Sequence, residues 1–170
     1  NDASFYTKYT EKLSTHWQSF IDLQWRNVQY TIRGFRNTPS LHIKKEYAFL
    51  NPKAGLTYSN KKTQVYLSYG RAAKEPNRDD FEANLNEQPK AEKLNDFETG
   101  IEQKNEHYTW AVNLYYMSYQ NQLVLTGKIN DAGAYTRTNI PKSYRMGAEL
   151  QAAATIVKWL KIEGNLTISR

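Results

Sequence analysis

Apolar and polar residues alternate with a period of two over one segment of the chain after another, the signature of strands with one apolar and one wet face. In QVYLSYG, Val65, Leu67 and Tyr69 fall on one side, and Gln64, Tyr66, Ser68 and Gly70 on the other. Ile21, Leu23 and Trp25 alternate with Asp22, Gln24 and Arg26. Val28, Tyr30 and Ile32 then continue in the opposite parity, a phase change that predicts a bulge or bend near Arg26 and Asn27. Leu50, Ala54, Leu56 and Tyr58 make a third strand, irregular near its start because Pro52 has no N–H to give to a ladder. Four more follow: Phe97, Thr99 and Ile101; Trp110, Val112, Leu114 and Tyr116; Tyr144, Met146, Ala148 and Leu150; and Leu160, Ile162, Leu166 and Ile168. The pattern predicts an all-β fold, an antiparallel up-and-down meander of about eight strands.

Connection lengths add a second regularity. Short links near Asn60, Asn105 and Val157 alternate with long stretches over 35–47, 71–94 and 120–139. Successive links in a meander fall at opposite ends, so the short turns share one rim and the long connections the other. Membrane barrels have that asymmetry, whereas a soluble sandwich has no reason to sort its loops by length. Tyr58, Tyr69, Tyr108, Trp110, Tyr116, Tyr119, Tyr144 and Trp159 lie near strand ends, as interfacial girdles require, although tyrosine favours strands in general. The longest connection carries EPNRDD, with Pro76 and Asn77 in a good turn context, and NDAG at 130–133 is ordinary turn chemistry.

Composition narrows the class. The 170 residues suffice for one domain with a real core. The absence of cysteine excludes a disulfide framework, a thiolate zinc site and a cysteine nucleophile. The net charge is +6, but the 23 basic residues interleave with 17 acidic ones. No basic run is longer than the Lys44–Lys45 and Lys61–Lys62 pairs, which read as solvated turns and loops, not a nucleic-acid surface. Asn1 to Thr10 lacks the apolar core of a signal peptide, and no stretch approaches the ~18 apolar residues of a spanning helix. A spanning strand needs only ~9–11 residues with alternate positions apolar, so a mean hydropathy of −0.80 suits a barrel whose other face lines water.

No catalytic, metal or cofactor site emerges. His16, His42 and His107 lack ligand spacing, Asp79 and Asp80 lack the rest of a calcium loop, and no phosphate loop, nucleophile elbow or HExxH occurs. Glu98, Glu102 and Glu149 invite a reading as paired catalytic carboxylates, but their strand positions favour a hydrated wall shared with lysines and arginines of neighbouring strands. The chain therefore reads as a non-enzyme.

Five segments in order, FLNPKAGLTY, VYLSYGRAAKEPNRDD, EKLNDFETGIEQ, NLYYMSYQNQLVLTGKINDAGAYTRTN and SYRMGAELQ, closely resemble the barrel of TonB-dependent outer-membrane receptors. The resemblance is strongest to the iron-siderophore type of Bacteroidetes-like bacteria and runs from Phe5 to Ser169. It implies a barrel of about 22 strands with a plugged lumen. Residues 1–170 would then be part of its C-terminal half, without plug domain, TonB-contacting box or closing strand. It further implies an outer-membrane location, contact with membrane lipid, coupling to the TonB complex through the plug, and import of a ferric-siderophore-like small molecule. Two unpaired strand edges would invite self-association. On this reading the residues facing ligand sit on the long-loop rim: Arg71, Lys74, Arg78, Asn121, Gln122, Tyr135 and Arg137, whose cationic and hydrogen-bonding groups suit an anionic chelate. For Arg78, flanked by Glu75 and Asp79, local ion pairing that orders the loop is the simpler expectation. The alternative is a soluble all-β carbohydrate-binding module with Trp17, Trp25, Trp110 and Trp159 as stacking platforms and its apolar faces buried between two sheets.

Overall fold

Each strand pairs antiparallel with the next, so the order in the single eight-stranded sheet is the order in sequence. The computed structural model describes residues 1–35, 38–83, 88–129 and 135–170. The strands are β1 (Asp2–Lys12), β2 (Trp17–Phe35), β3 (Thr38–Ser59), β4 (Thr63–Lys74), β5 (Glu92–Lys104), β6 (Tyr108–Ile129), β7 (Tyr135–Val157) and β8 (Leu160–Ser169). One short helix, α1 (Arg78–Ala83), stands between β4 and β5. The expected meander is borne out, and β1, whose Phe5, Thr7 and Tyr9 alternate with Tyr6, Lys8 and Thr10, adds a strand to the seven traced from the alternation.

The ladder registers fix which residues share a face. One outward row runs Ser19, Leu56, Leu67, Thr99, Leu114, Ala148 and Ile168 across β2 to β8. Neighbouring outward rows carry Ile21, Ala54, Tyr69, Phe97, Tyr116 and Met146 on one side and Tyr58, Val65, Ile101, Val112, Leu150 and Leu166 on the other. These side chains are open: Leu67 is 59% exposed, Ile21 57% and Ile168 66%. Only six hydrophobic residues are buried among those described, Val28, Ile32, Phe35, Ile43, Phe49 and Phe81, and four of them, Ile32, Phe35, Ile43 and Phe81, cluster at the end with the long connections. Among the described residues there is a single sheet, so the apolar faces are not sandwiched, and Trp17, Trp25 and Trp110 stand on the outward face instead of lining a sugar site. The soluble-module alternative is thereby lost.

The short turns over 13–16, 60–62, 105–107 and 158–159 share one rim, as their lengths predict. The other rim departs from expectation. The described residues of 35–47 and 120–139 lie in strands, with β2 and β3 paired as far as Phe35↔Thr38 and β6 and β7 as far as Ile129↔Tyr135. Lys44 and Lys45 are therefore strand residues of β3, not loop residues, whereas Lys61 and Lys62 do lie in a turn. The β4–β5 ladder likewise extends to Lys74↔Glu92 before the connection that carries α1.

No bulge explains the phase change in β2. Register is continuous from Trp17↔Tyr58 to Arg33↔His42 and first shifts between Arg33 and Phe35, where Gly34 takes φ +71°. A Cβ at Gly34 would stand 2.6 Å from the Pro39 carbonyl oxygen. The parity of apolar residues changes because what each face meets changes. Up to Trp25 the apolar residues other than Phe20 point outward; from Val28 onward they point inward, and Phe81 of α1 covers Ile32 and Phe35 there. Pro52 leaves β3 unbroken, but the ladder to β4 stops beside it at Lys53↔Gly70, and the Asn51 carboxamide oxygen accepts the Ala73 N–H at 3.0 Å instead.

Candidate functional site

The connection between β4 and β5 folds onto the inner face at the long-connection rim, and α1 anchors it there. Asn77 and Asp80 close a reciprocal cap: the Asp80 N–H donates to Asn77 Oδ1 at 2.9 Å and the Asn77 N–H to Asp80 Oδ2 at 2.8 Å. That cap points Phe81 inward against Ile32, Phe35 and Ile43, with its ring edge-on to Tyr30 at 6.1 Å. Asp80, itself only 4% exposed, accepts from Arg137 of β7 at 3.1 Å. A helix of six residues is ~9 Å long, whereas the four strand spacings from β3 to β7 in a flat sheet would cover ~19 Å. The sheet must therefore curve around the face that carries α1.

Two further attachments fix the segment. The buried Pro76 carbonyl accepts the Tyr30 hydroxyl at 3.1 Å. Arg26 presents a fork to Glu75 at 2.8 and 3.0 Å while also binding Asp2 at 2.8 Å. The hydrogen bond and charge of Arg26 hold the Asp2 carboxyl below its usual range, and burial pushes the Tyr30 phenol well above its own, consistent with its role as a neutral donor. On the returning limb, Asn139 accepts the Lys90 N–H at 2.8 Å and donates to the Lys90 carbonyl at 3.0 Å and that of Asn121 at 2.6 Å. Glu92 accepts the Leu123 N–H.

Below this roof the inner face is polar. Tyr66 donates to Asn113 at 3.1 Å, and a cavity of about 240 Å³ is lined by Tyr66, Glu98, Asn113, Met117, Arg145 and Glu149. Lys53 adjoins Asp96 and Glu98 in a neighbouring hollow. Glu98, Glu102 and Glu149 are inward, as expected, but none of them forms an ion pair with a lysine or arginine among the described residues.

The seven rim candidates do not form one cluster. Arg71 is exposed on the outer face, in the parity of Leu67 and Tyr69. Lys74 stands on the inner face opposite Glu92, exposed. Arg78 pairs with neither Glu75 nor Asp79; Glu75 is taken by Arg26, and the Arg78 guanidinium lies over the Phe35 ring at 5.3 Å. Asn121 takes φ +55° opposite Pro141, Gln122 accepts from the Ser143 hydroxyl at 2.6 Å, and Arg137 is committed to Asp80. Tyr135 begins β7 opposite Ile129; its side chain lies outside the described residues, as does the NDAG turn. Tyr30, Glu75, Asp80, Phe81 and Asn139, which organise the mouth, were not among the candidates. The N-x-x-D spacing before Phe81 was the one available signal for any of them.

The aromatic positions form two outward bands. Near the short turns Trp17 packs edge-on to Tyr58 at 5.2 Å, and Tyr108 and Trp110 share that outward face. Towards the other rim Phe5 meets Trp25 at 5.7 Å, Tyr69 meets Phe97 at 4.8 Å and Tyr116 meets Tyr144 at 6.1 Å. Tyr119 is the exception, an inward residue of β6 in the parity of Met117, to which its hydroxyl reaches at 3.5 Å. An apolar outward belt between two aromatic bands, over a polar inner face, is the profile of a membrane-spanning barrel wall.

Comparison with known proteins agrees. The sequence matches the family described as TonB dependent receptor-like, beta-barrel, over residues 1–169. The chain belongs to the TonB-dependent receptor β-barrel family. The copper transporter OprC superposes with a TM-score of 0.85 at 13% identity, covering 99% of this chain and 29% of that one. The FrpB iron transporter of Neisseria meningitidis gives 0.74 at 13%, covering 99% and 25%. The ferric-catecholate import receptor Fiu of E. coli K12 gives 0.69 at 17%, covering 99% and 27%. The chain thus spans between a quarter and a third of the length of these receptors. A search of curated protein sequences gives no significant match. As an outer-membrane receptor barrel, its short turns lie on the periplasmic side and the α1 rim on the external side.

Proposed function

We propose that the receptor to which this barrel wall belongs binds a ferric siderophore or a similarly scarce metal chelate at its external mouth and imports it in a TonB-coupled manner. The observation that carries the reading is the inward-folded α1 connection. It fixes a roof over a polar inner wall and leaves Lys74 and Arg78 at its margin without a carboxylate partner among the described residues. Such cations offer donors to the carboxylate or catecholate oxygens of an anionic chelate. Iron and copper transporters of the same fold support a metal-bearing cargo. Asn121, Gln122, Tyr135 and Arg137 stand along the adjoining β6–β7 edge and are proposed as secondary contacts. Arg71, on the outer face, belongs to a different surface. Energy coupling and passage would depend on a plug domain and the TonB complex.

The test is growth of a deletion strain on ferric siderophores, haem, cobalamin and glycans as single limiting nutrients, with the full-length gene restored as control. Loss of growth on one ferric chelate supports the reading. A defect confined to glycans keeps the barrel but removes the proposed role of Lys74 and Arg78.

A further inference from the structure

Acidic residues are confined to the inner face of the wall formed by β4 to β7, whereas cations stand on both faces. The outward residues from Val65 to Ala73, Lys93 to Gln103, Trp110 to Gln120 and Lys142 to Ala152 include no aspartate or glutamate; Asp96, Glu98, Glu102 and Glu149 all face inward. The same outward positions carry three cations, Arg71, Lys93 and Lys142, and all three lie at the external end. Arg71 is opposite Asn95, so Lys93 is its diagonal neighbour at about 7–8 Å. Lys93 is opposite Gln120, which is opposite Lys142, placing the two lysines about 10 Å apart across β6. None of the three forms an ion pair among the described residues, and Arg71 and Lys142 are exposed. The Asn95 carboxamide oxygen accepts the Tyr69 hydroxyl at 2.9 Å, which leaves its amide N–H groups free to donate beside Arg71.

Height decides what these cations meet. Arg71 is two residues beyond Tyr69, and Lys142 two residues beyond Tyr144; Tyr69, Phe97, Tyr116 and Tyr144 form the external aromatic band. Aromatic bands mark the level at which acyl chains give way to headgroups, so cations just beyond them and pointing outward stand among the headgroups of the external leaflet. We propose that Arg71, Lys93 and Lys142 form a binding surface for the phosphate-bearing headgroup of an anionic lipid, whose acyl chains lie along Leu67, Thr99 and Leu114 below. A lipid suits this surface better than a free anion because it is open: three cations on a convex wall, with no enclosing side, hold a small ion only weakly against salt screening. A tethered headgroup is also retained by its chains.

The experiment uses the full-length receptor, delipidated in non-ionic detergent and titrated with dioleoyl phosphatidylglycerol, with dioleoyl phosphatidylcholine and sodium phosphate as parallel arms, read by native mass spectrometry. The wild type should favour the anionic lipid over the zwitterionic one. The triple variant Arg71→Gln, Lys93→Gln, Lys142→Gln should bind it about 100-fold more weakly, from about 5-fold per cation near a membrane surface. Inorganic phosphate should not displace the lipid. Retained affinity in the triple variant, equal binding of both lipids, or displacement by phosphate would each overturn the proposal. If the triple variant fails to fold, Arg71→Gln and Lys142→Gln singly should each weaken binding about 5-fold, and unchanged affinity in both would overturn it equally.

Discussion

Phe81→Ala isolates what holds the roof of the mouth. The ring is 2% exposed and packs on Ile32, Phe35 and Ile43, and truncating a ring so placed costs about 3–5 kcal/mol. The remaining attachments of α1 are weaker. The pair between Asp80 and Arg137, whose side chain is 39% exposed, contributes at most about 1 kcal/mol after solvent screening. The Tyr30–Pro76 hydrogen bond and the Asn77–Asp80 cap add about 1 kcal/mol each. Six residues have no helical stability of their own. The Arg26–Glu75 fork just before it adds about 1 kcal/mol more, so the loss is comparable with all that is left, and α1 should detach while the barrel stays closed. Hydrogen exchange on the full-length receptor in detergent should show amides of 77–81 exchanging at least about 100-fold faster, since 1.4 kcal/mol is tenfold. The β4 ladder from Val65 to Tyr69 should keep its protection. A change under about 3-fold at 77–81 would refute the seating role of Phe81, and acceleration spread evenly over all strands would refute its independence from the barrel.

Two other substitutions probe the two faces of the wall. Leu114→Arg places a charge in the middle of the outward apolar belt and should cost about 2–4 kcal/mol in folding titrations into lipid vesicles, whereas Glu102→Arg, on the inner face, should assemble normally; equal tolerance would count against the lipid-facing assignment. Gly147→Ala would put a Cβ 2.5 Å from the Ile168 carbonyl oxygen and 2.6 Å from the Tyr115 hydroxyl, and should lose about 1–3 kcal/mol in the same titration. Gly70→Ala, with nothing nearer than Lys53 Cγ at 3.7 Å, should be neutral.

The belt was legible because it is periodic: Val65, Leu67 and Tyr69 need no partner to declare a strand, and the register merely aligns them with Thr99, Leu114 and Ala148. The alternating connection lengths likewise sorted the rims correctly. Legibility failed where ladder continues into water. Over 42–47, Lys44, Lys45 and Glu46 flank a single buried residue, Ile43, and that sparse apolar content looks like a loop although the backbone is paired throughout. The candidate site was only partly legible for a related reason. Arg71 and Lys74 are both rim cations in sequence, but three positions apart on a strand they lie on opposite faces, and only the inner one can meet a cargo in the lumen.

The change of parity in β2 shows how one alternation serves two solvents. Where lipid lies outside, Ile21, Leu23 and Trp25 point out, and Asp22, Gln24 and Arg26 meet the lumen. Beyond the belt water lies outside, so apolar groups are stable only inward and only if something covers them. Val28 and Ile32 make the switch, and α1 supplies the cover over Ile32 through Phe81. The backbone needs no bulge for this, because register and pleat continue and only the residue chosen at each position changes. An apolar phase change in a strand of continuous register therefore marks the edge of the bilayer as well as a covered patch above it. In this chain the edge falls between Trp25 and Val28, the level at which Arg26 links Asp2 to Glu75 and so ties β1 to the first residue beyond β4.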